Sequence, residues 1–340
     1  MKKIRKVLLW SVGTIGGLAI ATGTAMHLSP RPGAFLIKQL FDRPYGITNP
    51  EYYDRVVDTV TVTTDLTYPS THARNQYDVY LPADLAEDEK VPVVIWMHGG
   101  GFVGGNKSQM LELATYLVAE TRVAFIAFNY ALAPDEKYPS QLDQLNEAVN
   151  HVIHDESLSE AIDFDQLVFG GDSAGAQIAG QYVLLQTATA YRQSLGYEST
   201  LAEKQIKGFI SYCGPLAMSQ MATVRQDSPL LRFFYNTVSR SMIGSRQWSE
   251  RAELFEASLA DHVQGTFPAS FITDGNTHSF EPQGQAFVER LDALEVPVSS
   301  LFFTETEEEL IHEYQFSYDT KAGQECLEET VAFLKGVFHS

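Results

Sequence analysis

Short apolar runs and longer amphipathic stretches alternate along most of this chain. The apolar runs have the length and continuity of buried strands, and there are six of them: Val91–Met97, Val123–Phe128, Gln166–Phe169, Ile206–Tyr212, Pro268–Thr273 and Val296–Phe303. Helical patterns lie between or after these runs, over Ser108–Glu120, Ser140–His154, Ala174–Ala190, Pro282–Leu294 and Gln324–Phe338. Strands that are apolar on both faces and alternate with helices are typical of a parallel sheet covered on both sides. The pattern therefore predicts an α/β fold with helices on both faces of a mostly parallel sheet.

Two segments before the first buried strand alternate polar and apolar residues instead. They are Val56–Val62 and Asn75–Leu81, and the second ends at Pro82. Alternation with a period of two indicates strands with only one buried face. We expect an antiparallel pair at one edge of the sheet, which brings the sheet to about eight strands.

One interval breaks the alternation of strand and helix. Residues 214–266 separate the strands that begin at Ile206 and Pro268, and their pattern predicts an inserted helical cap. The cap contains the aromatic-rich run Leu230–Tyr235, which either packs the cap onto the body, the more common reason, or lines a substrate pocket. Residues 27–55 are rich in proline and predict a linker with a short cap element, followed by a main domain over 56–340.

The amino-terminal segment has the pattern of a membrane anchor. The basic residues between Lys2 and Lys6 precede Val7–Met26, a run without charged residues that is long enough to cross a bilayer as a helix. We expect residues 1–26 to be an uncleaved anchor at the cell membrane, with the catalytic domain outside because basic residues stay in the cytoplasm. The alternative is a signal sequence cleaved after Gly23-Thr24-Ala25, which would make the protein secreted.

The net charge of −19 excludes a nucleic-acid partner, since so acidic a protein repels a phosphate backbone. The two cysteines, Cys213 and Cys326, and the nine histidines show no metal-ligand spacing. We expect neither a metal nor another cofactor. Buried free thiols are the favoured state of the cysteines, although a disulfide between them is left open.

A Gly-x-Ser-x-Gly motif follows the third buried strand and opens the helix after it. In this strand-turn-helix context the motif predicts a nucleophile elbow, in which a serine hydroxyl is presented at the end of the sheet. Glycine two positions before and after the serine removes side chains that would collide in so tight a turn. The motif consists of Gly171, Asp172, Ser173, Ala174 and Gly175.

A serine needs a base that takes its proton and an acid that orients the base. Asp274 directly follows one strand and His312 comes after the next one, and the carboxyl ends of parallel strands meet at one edge of a sheet. We therefore expect Asp274 as the acid and His312 as the base. Rival candidates are interpreted otherwise: His278 as a surface or pocket-rim residue, and Glu281 and Asp292 as charges on the following helix. Glu305 and Glu307–Glu309 form a solvated loop whose charge could slightly favour protonated His312.

A glycine-rich turn after the first buried strand supplies the third part of this chemistry. Acyl transfer develops an oxyanion, which backbone N–H groups stabilise when they are held in place beforehand. We assign these donors to Gly100, Gly101 and Ala174. The same turn contains Gly99 and His98, and the His98 ring is expected to hold the loop in shape.

The sequences His98-Gly-Gly-Gly and Gly171-Asp-Ser-Ala-Gly together resemble the hormone-sensitive-lipase-like group of α/β-hydrolase esterases. The resemblance extends from about Tyr77 to the carboxyl terminus and includes Phe128–Asp135, which is similar to the family's segment ending Tyr-Arg-Leu-Ala-Pro-Glu. Two positions depart from the family: Ala131 replaces the usual arginine, and Gly-Asn follows Asp274 in place of Pro-Leu. The resemblance implies an α/β-hydrolase fold and hydrolysis of carboxylic esters, often with short acyl chains, without a cofactor.

These observations lead to a serine carboxylesterase as the first hypothesis, with a small-molecule ester as substrate. The catalytic residues are equally compatible with an amidase, formamidase or small-peptide hydrolase. A cell-envelope carbohydrate deacetylase is a narrower form of the first hypothesis. A non-catalytic binding module on the same fold is disfavoured, because both the nucleophile and the base are present.

Overall fold

An eight-stranded sheet forms the centre of the computed structural model, which describes residues 23–223 and 228–339. The strands lie in the order β1-β2-β4-β3-β5-β6-β7-β8. β3 to β8 run parallel, whereas β2 pairs antiparallel with both β1 and β4. The strands are β1 (Val60–Thr67), β2 (Gln76–Pro82), β3 (Val91–Met97), β4 (Ala124–Phe128), β5 (Ile162–Asp172), β6 (Ile206–Tyr212), β7 (Ala269–Asp274) and β8 (Val298–Phe302).

Helices cover both faces of this sheet. We number them α1 (Arg31–Phe41), α2 (Pro50–Val56), α3 (Leu111–Thr121), α4 (Ser140–Val152), α5 (Glu156–Ser159), α6 (Ala174–Thr187), α7 (Thr189–Leu195), α8 (Pro229–Ile243), α9 (Ala252–Glu256), α10 (Leu259–His262), α11 (Glu281–Ala293) and α12 (Lys321–Phe338). Residues 23–28 are also helical.

The two faces of the central strand β3 contribute to two separate clusters of buried side chains. Val93 and Ile95 pack in the cluster that includes residues of α4, α6 and α11. Val94 and Trp96 belong to the cluster with α3 and α12 on the other face. Successive side chains of a strand point to opposite faces, so a strand between two helical layers must be apolar throughout. This arrangement confirms the predicted α/β fold with a mostly parallel sheet of eight strands.

Several element boundaries differ from the prediction. β5 is longer than the apolar run Gln166–Phe169 because pairing with β3 continues on both sides of that run. The first strand begins at Val60, because α2 continues to Val56 and Val57–Thr59 form a 3₁₀ turn. The Asn49 side chain caps this helix by accepting a hydrogen bond from the Tyr52 N–H, which stabilises a helix start.

The segment between β6 and β7 packs against the amino-terminal helix α1. A Cβ on Gly33 of α1 would lie 2.8 Å from the Thr237 side chain of α8, so the two helices approach closely at this glycine. Phe41 at the end of α1 contacts the Phe234 ring edge to face, with ring centroids 5.9 Å apart. α1 and α8 thus lie together above the carboxyl ends of the strands, beside the glycine-rich turn that contains Gly101.

The predicted location at the cell membrane is corrected. In the part of the chain that the structure describes, no helix is long and apolar enough to cross a membrane. Most of the segment Val7–Met26, on which that prediction depended, lies outside the described residues.

Candidate active site

Ser173 stands at the sharp turn between β5 and α6, and its backbone has a φ of 50°. A positive φ is rarely adopted by residues with a side chain and often marks a functional position. The turn needs both flanking glycines: a Cβ on Gly171 would lie 2.4 Å from the Gly175 carbonyl carbon, and one on Gly175 would lie 2.0 Å from the Met97 oxygen. The Ser173 N–H donates to the Tyr212 oxygen at the end of β6, which fixes the turn to the neighbouring strand.

His312 reaches Ser173 from the loop after β8. Its Nε2 lies 2.9 Å from the Ser173 Oγ, a hydrogen-bond distance that lets the serine donate its proton. The backbone around His312 is joined to the loop after β7: the His312 N–H donates to the Thr277 oxygen, and the Thr277 N–H donates to the Leu310 oxygen. The Phe280 ring meets the imidazole edge to face at 5.4 Å. These contacts set the position of the ring before a substrate binds.

Asp274 ends β7 and is buried behind the imidazole. Its Oδ1 lies 3.6 Å from His312 Nδ1, slightly beyond hydrogen-bond length, as is common for catalytic groups without a substrate. Both carboxylate oxygens are held by the backbone, because Oδ1 accepts from the Gly275 N–H at 2.8 Å and Oδ2 from the Phe280 N–H at 2.7 Å. The structure thus places the His312 ring between Ser173 and Asp274, which is the arrangement that the sequence predicts.

The pKa of His312 is raised above its ordinary value. Burial by itself lowers it, but the carboxylates of Asp274, Glu313 and Asp172 favour the protonated ring and outweigh that effect. Glu305 and Glu307–Glu309, the source of negative charge expected from the sequence, are exposed. The charge that affects His312 instead comes from side chains close to the ring.

Glu313 and Asp172 form a carboxylate pair that the sequence does not reveal. A Cβ on Gly99 would lie 3.0 Å from Glu313 Oε1 and 2.3 Å from Asp172 Oδ2, so both oxygens converge on this glycine. Asp172 accepts hydrogen bonds from Trp96 Nε1 at 2.8 Å and from the Gly99 N–H at 2.6 Å. Burial and the charge of Glu313 nevertheless raise its pKa to about 8. Glu313 itself has a positive φ of 68° and accepts a hydrogen bond from the Tyr45 hydroxyl at 3.0 Å.

The glycine-rich turn after β3 lies beside Ser173 with its N–H groups available. Gly100 and Gly101 have φ values of 109° and 58°, which favour glycine, and a Cβ on Gly100 would lie 2.3 Å from the Gly104 oxygen. Within residues 23–223 and 228–339, the N–H groups of Gly100, Gly101 and Ala174 donate to no backbone carbonyl. Ala174 is the first residue of α6, where N–H groups have no acceptor within the helix.

The His98 side chain stabilises this glycine-rich turn through contacts of its ring. Its buried ring stacks on Tyr130 with centroids 4.3 Å apart, and its Nδ1 lies 2.6 Å from the Gly99 oxygen. Burial, reinforced by the charge of Arg74, lowers the pKa of His98 to about 3, so the ring is neutral and donates from Nδ1. The Tyr130 hydroxyl donates to the His98 oxygen at 3.0 Å. Among these contacts, His98 joins the glycine-rich turn to Tyr130, and none is with Ser173.

A mainly apolar cavity of about 200 Å³ opens onto Ser173 and His312. Residues of α8 form one wall, and His278 lies at the exposed rim. Asp292 is exposed on α11, away from this cavity. The described residues that line the cavity are Phe41, Gly101, Phe102, Ser173, Ala174, Pro215, Met218, Met221, Leu231, Phe234, Tyr235, Val238, Ser239, Met242, His278, Phe280 and His312.

Both cysteines are buried free thiols, as expected. In the described part of the chain, one group of side chains has the composition and spacing to hold a metal ion, and it consists of Cys213, Asp274 and His312. This group overlaps the candidate catalytic residues, so a metal bound there would compete with acyl transfer and not assist it.

Comparison with known proteins extends this picture. The family model for the alpha/beta hydrolase fold matches residues 94–315. Probable carboxylesterase 6 of Arabidopsis thaliana is 30% identical over 130 residues, 36% of this chain and 38% of that protein. Tuliposide A-converting enzyme 1 of Tulipa gesneriana is 33% identical over 119 residues, 32% of this chain and 30% of that protein. The chain thus spans about a third of the length of these relatives.

A solved structure covers the chain far more fully. Esterase B from Lactobacillus rhamnosis superimposes with a TM-score of 0.69 over 99% of this chain and 96% of that one, at 18% identity. At so low an identity the likeness shows the shared fold, and the chemistry rests on the residues described above.

Proposed function

Because the chain belongs to the α/β hydrolase fold family, we propose that it is a serine carboxylesterase acting on esters of short-chain carboxylic acids. The observation that carries this proposal is the contact between Ser173 Oγ and His312 Nε2 at 2.9 Å, at the mouth of an apolar cavity. The names of two similar proteins, a probable carboxylesterase and an esterase, support the same class of reaction.

In the proposed acylation step, Ser173 Oγ attacks the carbonyl carbon of the ester while His312 Nε2 takes its proton. The carbonyl oxygen becomes an oxyanion and accepts hydrogen bonds from the N–H groups of Gly100, Gly101 and Ala174. Asp274 stabilises the imidazolium that forms and holds the ring with Nδ1 toward the carboxylate and Nε2 toward Ser173. The protonated His312 then gives its proton to the leaving alcohol, and the acyl group stays on Ser173.

Deacylation repeats these roles with water as the nucleophile. His312 takes a proton from the water, whose oxygen attacks the acyl carbon, and the same N–H groups hold the second oxyanion. Collapse of this intermediate returns the proton to Ser173 and releases the carboxylic acid. In these steps the protein acts through the side chains of Ser173, His312 and Asp274 and the backbone N–H groups of the glycine-rich turn and Ala174.

The volume and the lining of the cavity favour a substrate with a small, apolar acyl or alcohol group. A cavity of about 150 Å³ in another protein holds one benzene molecule, so about 200 Å³ suits a group of similar size. Its wall from α8 is mainly apolar, with Leu231, Val238 and Met242. Among the described residues of this wall, only Tyr235 and Ser239 offer hydroxyl groups to a sugar. This lining favours simple esters over acetylated carbohydrates.

We also propose that residues 214–266, with α1 from the 27–55 segment, act as the cap over a main domain of residues 56–340.

The test is hydrolysis of nitrophenyl esters of increasing acyl length by the full chain, beside a Ser173→Ala variant. We expect cleavage of acetate and butyrate, weak cleavage of long-chain esters and no cleavage by the variant. Activity that peaks on long chains would contradict the short-chain proposal. If folded protein cleaves no ester but cleaves the matching nitroanilides, the protein is an amidase and the esterase proposal is wrong.

A further inference from the structure

Three side chains with different metal-binding atoms converge behind the candidate catalytic pair. The Cys213 sulfur, an Asp274 carboxylate oxygen and a ring nitrogen of His312 all lie within 4.8 Å of one another. Nδ1 is the nitrogen on this side, because it lies 3.6 Å from Asp274 Oδ1. It is buried and has no hydrogen-bond partner within the described residues. An unpartnered buried nitrogen facing a carboxylate and a thiol is a position that a cation can occupy.

The composition of this cluster matches the preference of zinc. Zinc in proteins is bound by cysteine sulfur, histidine nitrogen and carboxylate oxygen in a tetrahedral arrangement. With metal–ligand lengths of about 2.0–2.3 Å, the ligand atoms on one zinc ion lie roughly 3–4 Å apart. The Nδ1–Oδ1 separation of 3.6 Å already falls in this range, and the sulfur, within 4.8 Å of the other two atoms, needs to close by at most roughly 1.3 Å.

The backbone holds the cysteine at this place. Cys213 follows β6 with a positive φ of 46°, an unusual value for a residue with a side chain. Its N–H donates to the Thr273 oxygen at 2.7 Å, and Thr273 immediately precedes Asp274. The ends of β6 and β7 therefore carry two of the three ligands, and a hydrogen bond joins Cys213 to the residue that precedes Asp274. The His312 side chain is 24% exposed and lines the cavity, whereas its Nδ1, Asp274 and Cys213 are buried, so an ion enters the cluster only through a local movement of these side chains.

We propose that Cys213, Asp274 and His312 form an inhibitory site for a thiophilic divalent cation such as zinc. Binding requires the lone pair of His312 Nδ1, so the ring proton must reside on Nε2. Nε2 then presents N–H to Ser173 Oγ and cannot accept the serine proton. The Cys213 thiol gives up its proton to solvent as its sulfur binds the ion, so each ion bound releases one proton. Water completes the tetrahedral coordination. Inhibition rests on the proposed role of His312 as the base, whereas binding of the ion does not.

The first experiment measures ester hydrolysis by the full chain during titration with zinc. The chain has two cysteines, so Cys326→Ser is a matched control for Cys213→Ser. Cys326 is also buried, but it lies on α12 outside the cluster. We expect zinc to inhibit the unmodified protein and Cys326→Ser equally and a chelator to restore activity. Cys213→Ser should need at least about tenfold more zinc, since losing even an indirect partner of a metal costs about 10–100-fold in affinity.

The second experiment measures binding without activity. Cadmium bound to a thiolate gives an ultraviolet charge-transfer band, which we expect in the unmodified protein and in Cys326→Ser but not in Cys213→Ser. Cys213→Ala replaces the serine variant if the latter unfolds, as judged by circular dichroism. Unchanged zinc inhibition in folded Cys213 variants, or a cadmium band that depends on Cys326, would overturn the proposal. If no ester is cleaved at all, a Cys213-dependent band still establishes the ion site while the esterase proposal fails.

Discussion

A methyl group on Gly175 would collide with the backbone that leads into the oxyanion turn. In Gly175→Ala, the new Cβ would lie 2.0 Å from the Met97 oxygen and 2.5 Å from the His98 oxygen. Both neighbours are backbone atoms at the end of β3, so a side-chain rotation cannot relieve the contact. The start of α6 and the end of β3 must instead move apart by more than about 1 Å to restore a contact distance of about 3.5 Å.

This movement separates groups that are proposed to act together. The Ala174 N–H moves with α6, whereas the N–H groups of Gly100 and Gly101 move with the turn after β3. A misplacement of about 1 Å costs about 10²-fold in rate, and loss of one oxyanion donor costs about 10²–10³-fold in kcat. We therefore expect kcat to fall by about 10²–10³-fold, or about 2.7–4 kcal/mol, with KM little changed. Overpacking should also lower the free energy of unfolding by about 1–3 kcal/mol.

The assay combines steady-state hydrolysis of nitrophenyl butyrate with urea unfolding. Gly336→Ala is the matched control, because a Cβ on Gly336 in α12 would meet no atom within 4 Å. This control should keep full activity and gain up to about 1 kcal/mol of stability from the better helix propensity of alanine. A Gly175→Ala enzyme with unchanged kcat would refute the reasoning, since the oxyanion donors would then not depend on this contact.

Two other predictions concern buried charges. Burial alone lowers the pKa of His312, but carboxylates including Glu313 raise it, and only the neutral ring can act as a base. The acid limb of the kcat/KM profile should therefore have its midpoint above the ordinary histidine pKa of about 6.5. Glu313→Gln should move this acid limb to lower pH. An unmoved limb would show that Glu313 does not act on the ring. Lys107 is buried with its Nζ 2.5 Å from Asp78 Oδ1. Lys107→Met should reduce stability in urea by about 3–5 kcal/mol, because Asp78 loses its buried counterion, and a loss under about 1 kcal/mol would contradict this.

Much of the sheet and of the candidate site could be predicted because each depends on local sequence. Strands buried on both faces are continuous apolar runs, so β3 and β6 were predicted with their observed bounds. Residues that follow parallel strands meet at one edge of the sheet, which is why the sequence alone places Ser173, Asp274 and His312 together.

The helices before the sheet were missed because proline was interpreted as a mark of a linker. Pro32 and Pro50 lie in the first turns of α1 and α2, where proline costs little because its missing N–H has no acceptor there. In α1, the buried residues Ala34 and Ile37 have the three-residue spacing of one helix face. This signal was present in the sequence but is short.

Contacts between distant segments had no local signal. Tyr45 and Glu313 meet across 268 residues of chain, and no pattern near either one indicates the other. The sequence predicts Cys213 as a buried thiol, but its approach to Asp274 depends on the pairing of β6 with β7 and on an unusual backbone angle. Such features follow from the assembled sheet and not from the spacing of residues.

Covalent labelling of Ser173 tests the central claim most directly. A nitrophenyl phosphonate offers phosphorus to the nucleophile, and attack by Ser173 Oγ forms an O–P bond and releases nitrophenolate. We expect mass spectrometry of the digested protein to find one phosphonate adduct, on the peptide that contains Ser173, and hydrolysis of esters to cease in proportion to labelling. Folded Ser173→Ala should take up no label. An adduct on another residue, or equal labelling of the alanine variant, would contradict the account.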